Sequence, residues 1–157
     1  MTELSQLYHK DYTAWARRNA ELLRAGQFGD LDIENLLEEL SDMSKSEQRE
    51  LENRLTILLA HLLKWEYQFQ YLSDKWIEFD GRSWRSTIIE QRDRIHQRLR
   101  KSPGLKSLLT ATVIEAYVDA VELASDETGL SADRFPSQCP YDEAQLLDKQ
   151  FYPEPRK

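Results

Sequence analysis

His61 is the only polar side chain in the run Ile57 to Leu63, which reads I-L-L-A-H-L-L. An imidazole in so apolar a stretch must find a hydrogen-bond partner, or act as a ligand or proton carrier. In helical bundles such sites are assembled from inward side chains on facing helices. Four carboxylates have spacing suited to join it. Asp32 and Glu39 share one helix face, and Glu115 and Asp119 share a face of another. On a helical wheel, however, His61 falls ~80° from the centre of its helix's main stripe. It lies beside Ile57 and Arg54, which favours a neutral, hydrogen-bonded histidine over a ligand or catalyst. Di-iron carboxylate bundles use two Glu-x-x-His pairs. The chain has none, and Asp93-x-x-His96 is a single partial match on a charged helix.

Other chemistry is thin. Cys139, between Gln138 and Pro140, would need a neighbouring base or helix N-terminus to be a nucleophile, and reads as a packing residue. There is no glycine-rich phosphate loop, Gly-x-Ser-x-Gly turn or zinc-finger spacing. No metal and no cofactor are expected.

Two further patterns concern surfaces. Seven of the 20 residues from Trp65 to Trp84 are aromatic. Tyr67 and Tyr71 share a face nearly opposite Trp65 and Phe69, so one neighbour cannot bury them all. Tyr67, Tyr71, Trp76 and Phe79 are therefore candidates for a partner surface, against the plainer reading of a second small core. Charge is also segregated. Asp30 to Asn53 holds nine acids and two bases, whereas Arg82 to Lys101 holds seven bases and two acids. A basic helix with a tryptophan suggests phosphate binding. The acidic segments are nearer partners, and Arg92 and Arg98 flank an apolar stripe over which their stems can lie. With a net charge of −7 the chain is not expected to bind nucleic acid.

The elements that position these residues are helical throughout. Expected helices cover about 11–25, 31–43, 45–72, 83–101 and 103–128, with a short one at about 142–149. Asp11 and Asp30 are the first two start signals, and Ser44 with Glu47 has capping-box spacing that suggests a break. Leu51, Leu55, Leu58, Leu62, Trp65 and Phe69 recur at three or four residues, the most regular stripe in the chain. Pro136, Pro140, Pro153 and Pro155 exclude a long helix from the tail, while Phe135, Tyr141, Leu146, Leu147 and Phe151 argue that it packs back. No segment alternates with period two, so no sheet is expected. The reading is all-α: one domain over 1–157, a bundle of about five main helices with an extended, proline-containing C-terminal tail packed over it. At 157 residues it can bury roughly 70% of its unfolded surface. One cysteine, no signal-like N-terminus and no long apolar run point to a cytoplasmic protein with no membrane association.

In its blocks the chain resembles the family catalogued as domain of unknown function twenty-nine. They are D-Y-T-A-W at Asp11 to Trp15, A-E-L-L-R-A-G-Q-F at Ala20 to Phe28, and E-N-L-L-E-E-L at Glu34 to Leu40. L-L-A-H-L-L-K-W-E-Y-Q at Leu58 to Gln68, S-W-R-S-T-I at Ser83 to Ile88, F-P-S-Q-C-P-Y at Phe135 to Tyr141 and L-L-D at Leu146 to Asp148 complete them. The resemblance implies an all-α bundle protein of cyanobacteria and proteobacteria, and attaches no activity. Where such proteins often carry glycine near the second-to-third helix junction, this chain has Ser44.

The functional expectation is a helical protein-interaction or oligomerisation module, not an enzyme, whose partner is another protein or itself. The alternatives are a small-molecule or metal-binding bundle enzyme centred on His61, and a nucleic-acid accessory protein using the basic helix.

Overall fold

The computed structural model describes residues 2–157. It is all-α. In chain order the helices are α1 (Glu3–Lys10), α2 (Tyr12–Arg24), α3 (Ile33–Lys75), α4 (Arg82–Lys101), α5 (Leu109–Thr128) and α6 (Glu143–Leu147). Three 3-10 segments, Phe28–Asp30, Pro103–Leu108 and Ala132–Arg134, lie between them. Among the described residues none is in a strand, and no helix is long and apolar enough to cross a membrane.

The chain divides into two compact units, Met1–Ser46 and Glu47–Lys157. The first is built on Trp15 and Leu22, both nearly inaccessible, with buried Asn19 and Asp32. Asp11 caps α2 by accepting from the Ala14 amide at 3.0 Å. The helix before it, α1, was not expected; Thr2 caps it by accepting from the Ser5 amide at 3.1 Å. The cap of α3 is Asp32 rather than Asp30, which sits in a 3-10 turn. Asp32 accepts from Trp15 Nε1 at 2.8 Å and Asn35 Nδ2 at 2.7 Å, and its amide donates to Asn19 Oδ1 at 3.1 Å.

The break expected at Ser44 is absent, because α3 runs unbroken for 43 residues. Between Met43 and Glu47 no glycine or proline interrupts the helix, and the capping-box partner is engaged elsewhere. Glu47 accepts from Arg98 Nη1 at 3.1 Å and from Ser102 Oγ at 3.2 Å. The expected helix over 103–128 begins instead as a 3-10 segment. There Pro103 occupies the first turn, and Leu105 and Leu109 are both buried. The tail helix is shorter than expected at its end. Asp142 and Gln145 form a capping box, but Asp148 is extended and accepts from the Gln150 amide at 2.8 Å.

In the second unit the stripe on α3 (Leu51, Leu55, Leu58, Leu62) packs with Ile88 and Ile95 of α4 and with Val113, Ala116 and Ala120 of α5 in one buried cluster. Leu59 and Leu63, off that stripe, are equally inaccessible, so α3 is enclosed on several sides. Gly81, at φ 72°, starts α4; a Cβ there would overlap the Phe69 ring, so the turn closes only on glycine.

The tail is fastened by polar groups. Arg92, 1% exposed, donates from Nε to Leu146 O at 3.0 Å, from Nη1 to Phe151 O at 2.7 Å and from Nη2 to Gln145 O at 3.1 Å. His96 Nε2 donates to Leu147 O at 2.7 Å. Tyr117 donates to Pro136 O at 2.6 Å, and Tyr141 donates to Glu66 Oε1 at 2.9 Å. Arg156 reaches Glu66 Oε2 through Nε at 2.7 Å. A buried guanidinium is tolerable here because each of its three nitrogens finds a carbonyl. Arg92→Met keeps the stem and strands those carbonyls. It should lower the unfolding free energy by about 2–4 kcal/mol in urea denaturation. A loss near zero would mean that apolar contacts alone hold the tail.

Candidate functional site

His61 sits mid-way along α3, half-buried, with Nδ1 2.9 Å from Ile57 O one turn earlier on the same helix. A carbonyl only accepts, so Nδ1 carries the proton and Nε2 keeps its lone pair. Burial pushes the imidazole below its ordinary pKa. The Ile57 carbonyl and Glu127 act the other way, and Lys64 acts with burial. The ring is thus a neutral side chain satisfied by its own helix.

The four carboxylates proposed for it are placed elsewhere. In the first unit, burial raises the pKa of Asp32, but hydrogen bonds from Asn35, Trp15 and the Asn35 backbone outweigh it and leave the carboxyl below its ordinary value. Glu39 accepts from Tyr8 at 2.5 Å and from Tyr12 at 2.7 Å, and those bonds lower its pKa. Both acids therefore have structural partners in their own unit. On α5, Glu115 and Asp119 are exposed. Their charges are felt by Glu52, whose pKa is raised by burial first and then by these two acids.

The α5 acid near His61 is Glu127, which accepts from Lys64 Nζ at 2.6 Å. Lys64 is buried on α3, and its ammonium stands 5.0 Å from the centre of the Trp84 ring. The sequence held a signal for Glu127, since it continues the buried row Val113–Ala120–Ala124 by one turn. Asp93 pairs with Lys149 at 2.9 Å and His96 bonds the tail, so the partial Asp-x-x-His match is divided between two tail anchors. Among the described residues no three His, Cys, Asp or Glu side chains gather as a metal would require. Cys139 is half-buried, and burial pushes its thiol upward, away from the thiolate.

The aromatic segment divides. Trp65, Phe69, Phe79 and Trp84 pack around Gly81, with Trp65–Phe69 centroids at 4.5 Å and Phe79–Trp84 at 5.0 Å. Tyr71 and Trp76 stand out, 58% and 57% exposed, followed by a fully exposed Ile77. Tyr67 lies between these groups. Its ring meets Phe135 edge-on at 5.3 Å and carries the Arg156 guanidinium at 4.9 Å. Tyr67 and Tyr71 line an open groove of about 790 Å³ together with Arg134, Arg156 and Lys157. No sequence signal placed those three cations together, because their position depends on where the tail docks.

The basic helix α4 works largely inside the chain. Arg98 pairs with Glu47 and Glu50, Arg94 with Glu90 and Arg82 with Asp80. Arg85 lies over the Trp65 ring at 5.4 Å, and Arg92 binds the tail.

Residues 7–152 match the family described as "Domain of unknown function DUF29". Comparison with curated proteins and with solved structures gives no match.

Because His61 has a lowered pKa in the folded state, the unfolded chain takes up its proton first as pH falls. Its stabilising contribution is complete above the ordinary histidine pKa, near 6.5, and is lost as pH falls through the depressed value. The imidazole should titrate below 6.5 by NMR. The stability difference between the native chain and His61→Gln should shift against the native chain between about pH 7 and pH 5. A pH-independent difference would show that the ring is as easily charged folded as unfolded.

Proposed function

Given that the chain belongs to the domain of unknown function DUF29 family, whose description names no activity, we propose from the geometry a protein-interaction module of the cyanobacterial and proteobacterial cytoplasm that pairs with a second copy of itself. The observation that carries this is the uncovered apolar stripe on the first turns of α3. Ile33, Leu37, Leu40 and Met43 are 53%, 62%, 61% and 63% exposed. Ile33, Leu37 and Leu40 step at four and three residues, the spacing of a helix-pairing seam, and Met43 borders it on one flank. Scattered exposed leucines need no explanation; a continuous row of four large ones on one face does.

The flanks select the occupant. Consider two copies of this helix antiparallel about the midpoint between Leu37 and Leu40. Leu37 of each then meets Leu40 of the other, and Ile33 meets Ser44. On one flank Glu34 and Lys45, ~20° apart on the wheel, come opposite each other twice by symmetry. On the other flank Leu36 meets Met43. A parallel arrangement would set Glu34 against the apolar flank of Leu36 and Met43 of the other copy. Charge and apolar pattern both suit an antiparallel self-pair.

The competing readings have less to stand on. His61 is bonded to its own helix, and most of the α4 cations already have partners within the chain. The single free cysteine suits a reducing compartment.

Sedimentation over a wide concentration range should reveal a reversible dimer. Leu37→Asp with Leu40→Asp should abolish it without loss of helical signal, since neither side chain is buried. Glu34→Lys should weaken it by about threefold to tenfold, and adding Lys45→Glu should restore it. A chain that is monomeric at every concentration ends this reading.

A further inference from the structure

The groove on the second unit has a charge pattern that folding uses only in part, through Arg156. Arg134, Arg156 and Lys157 border it against one carboxylate, Asp74, which accepts from Gln70 Nε2 at 2.9 Å. Arg156 engages Glu66 through Nε, leaving its two Nη groups. Among the described residues Arg134 and Lys157 have no carboxylate partner. Unneutralised cations beside a concavity raise the local concentration of anions. Planar guanidinium groups match the oxygens of a phosphate.

The aromatic part of the lining is suited to a planar ring. Tyr71 is more than half exposed, with the Lys75 ammonium on one side 5.5 Å from its ring centre, and Tyr67 is held edge-on to Phe135 with Arg156 across its face. Gln68 Nε2 is fixed by donation to Thr128 O at 3.1 Å, which leaves Oε1 as an oriented acceptor. The groove, at about 790 Å³, falls in the size range of small-molecule sites. We propose that it binds a nucleoside monophosphate, with the phosphate against Arg134, Arg156 and Lys157 and the base stacked on Tyr71. Gln68 Oε1 accepts from the exocyclic amine of that base. Nothing in this site depends on the stripe of α3.

Calorimetric titration of the full chain with AMP tests this, with adenosine and inorganic phosphate titrated separately. Saturable AMP binding that weakens with salt is expected. Arg134→Ala or Lys157→Ala should each weaken it by about tenfold. Tyr71→Ala should weaken AMP while leaving phosphate unchanged. All three residues lie on the surface, and circular dichroism checks that each variant folds. The Leu37→Asp, Leu40→Asp chain should bind AMP as the native chain does, which separates this site from self-pairing. No saturable binding at millimolar AMP overturns the proposal. So does adenosine binding as tightly as AMP, or indifference to the Arg134 and Tyr71 substitutions.

Discussion

The second unit depends on one buried charge. Arg92 projects from α4 into a place where three backbone carbonyls of the tail converge, 2.7 to 3.1 Å from its nitrogens. A guanidinium taken out of water is costly unless every donor is met. Leu146 and Tyr141, both buried, can cover the α3–α4 face only along the path those carbonyls set. His96, Tyr141 and Glu66 then fasten the same segment at successive points. A stretch with four prolines, unable to form a long helix, becomes an ordered wall of the unit by accepting hydrogen bonds from helices that can.

The same docking creates the groove. Arg156 is drawn to Glu66 and laid across Tyr67, and the tail's last residues are thereby set beside Tyr71 and Arg134. The first unit follows a different logic. Its polar core of Trp15, Asn19, Asp32 and Asn35 fixes how α2 meets the start of α3, while the apolar row on α3 faces outward.

Most of the helices could be read from residue type and spacing. Asp11, Gly129 and the 51–69 stripe are strong local signals, and the elements they bound appear where those signals lie. The misreadings have a common cause: a residue with two possible partners, one local and one distant. Ser44 and Glu47 fit a capping box, but Glu47 is taken by Arg98, 51 residues away. Asp30 is a plausible cap, but Asp32 has Trp15 and Asn19 to hold it. The acids of α5 show a related limit. Spacing tells which carboxylates share a face, but not which face turns inward, and the core row of α5 selects Glu127 over Glu115 and Asp119. The groove was illegible, since it needs Arg134 and Arg156 from either end of a tail whose path no local rule supplies.

The bonds of the tail also imply an order of assembly. Contacts that build the first unit join residues 3 to 31 positions apart. Those that close the second span 53 to 59 positions at Arg92 and 75 to 90 at Glu66. Short loops close early and long ones late, because each long contact must overcome a larger chain entropy. During synthesis the first unit can form while the rest is still being made. Glu66, deep in α3, waits for Arg156, 90 positions later. Until then the apolar row of α3 and α4 beneath the tail lies open to wrong partners.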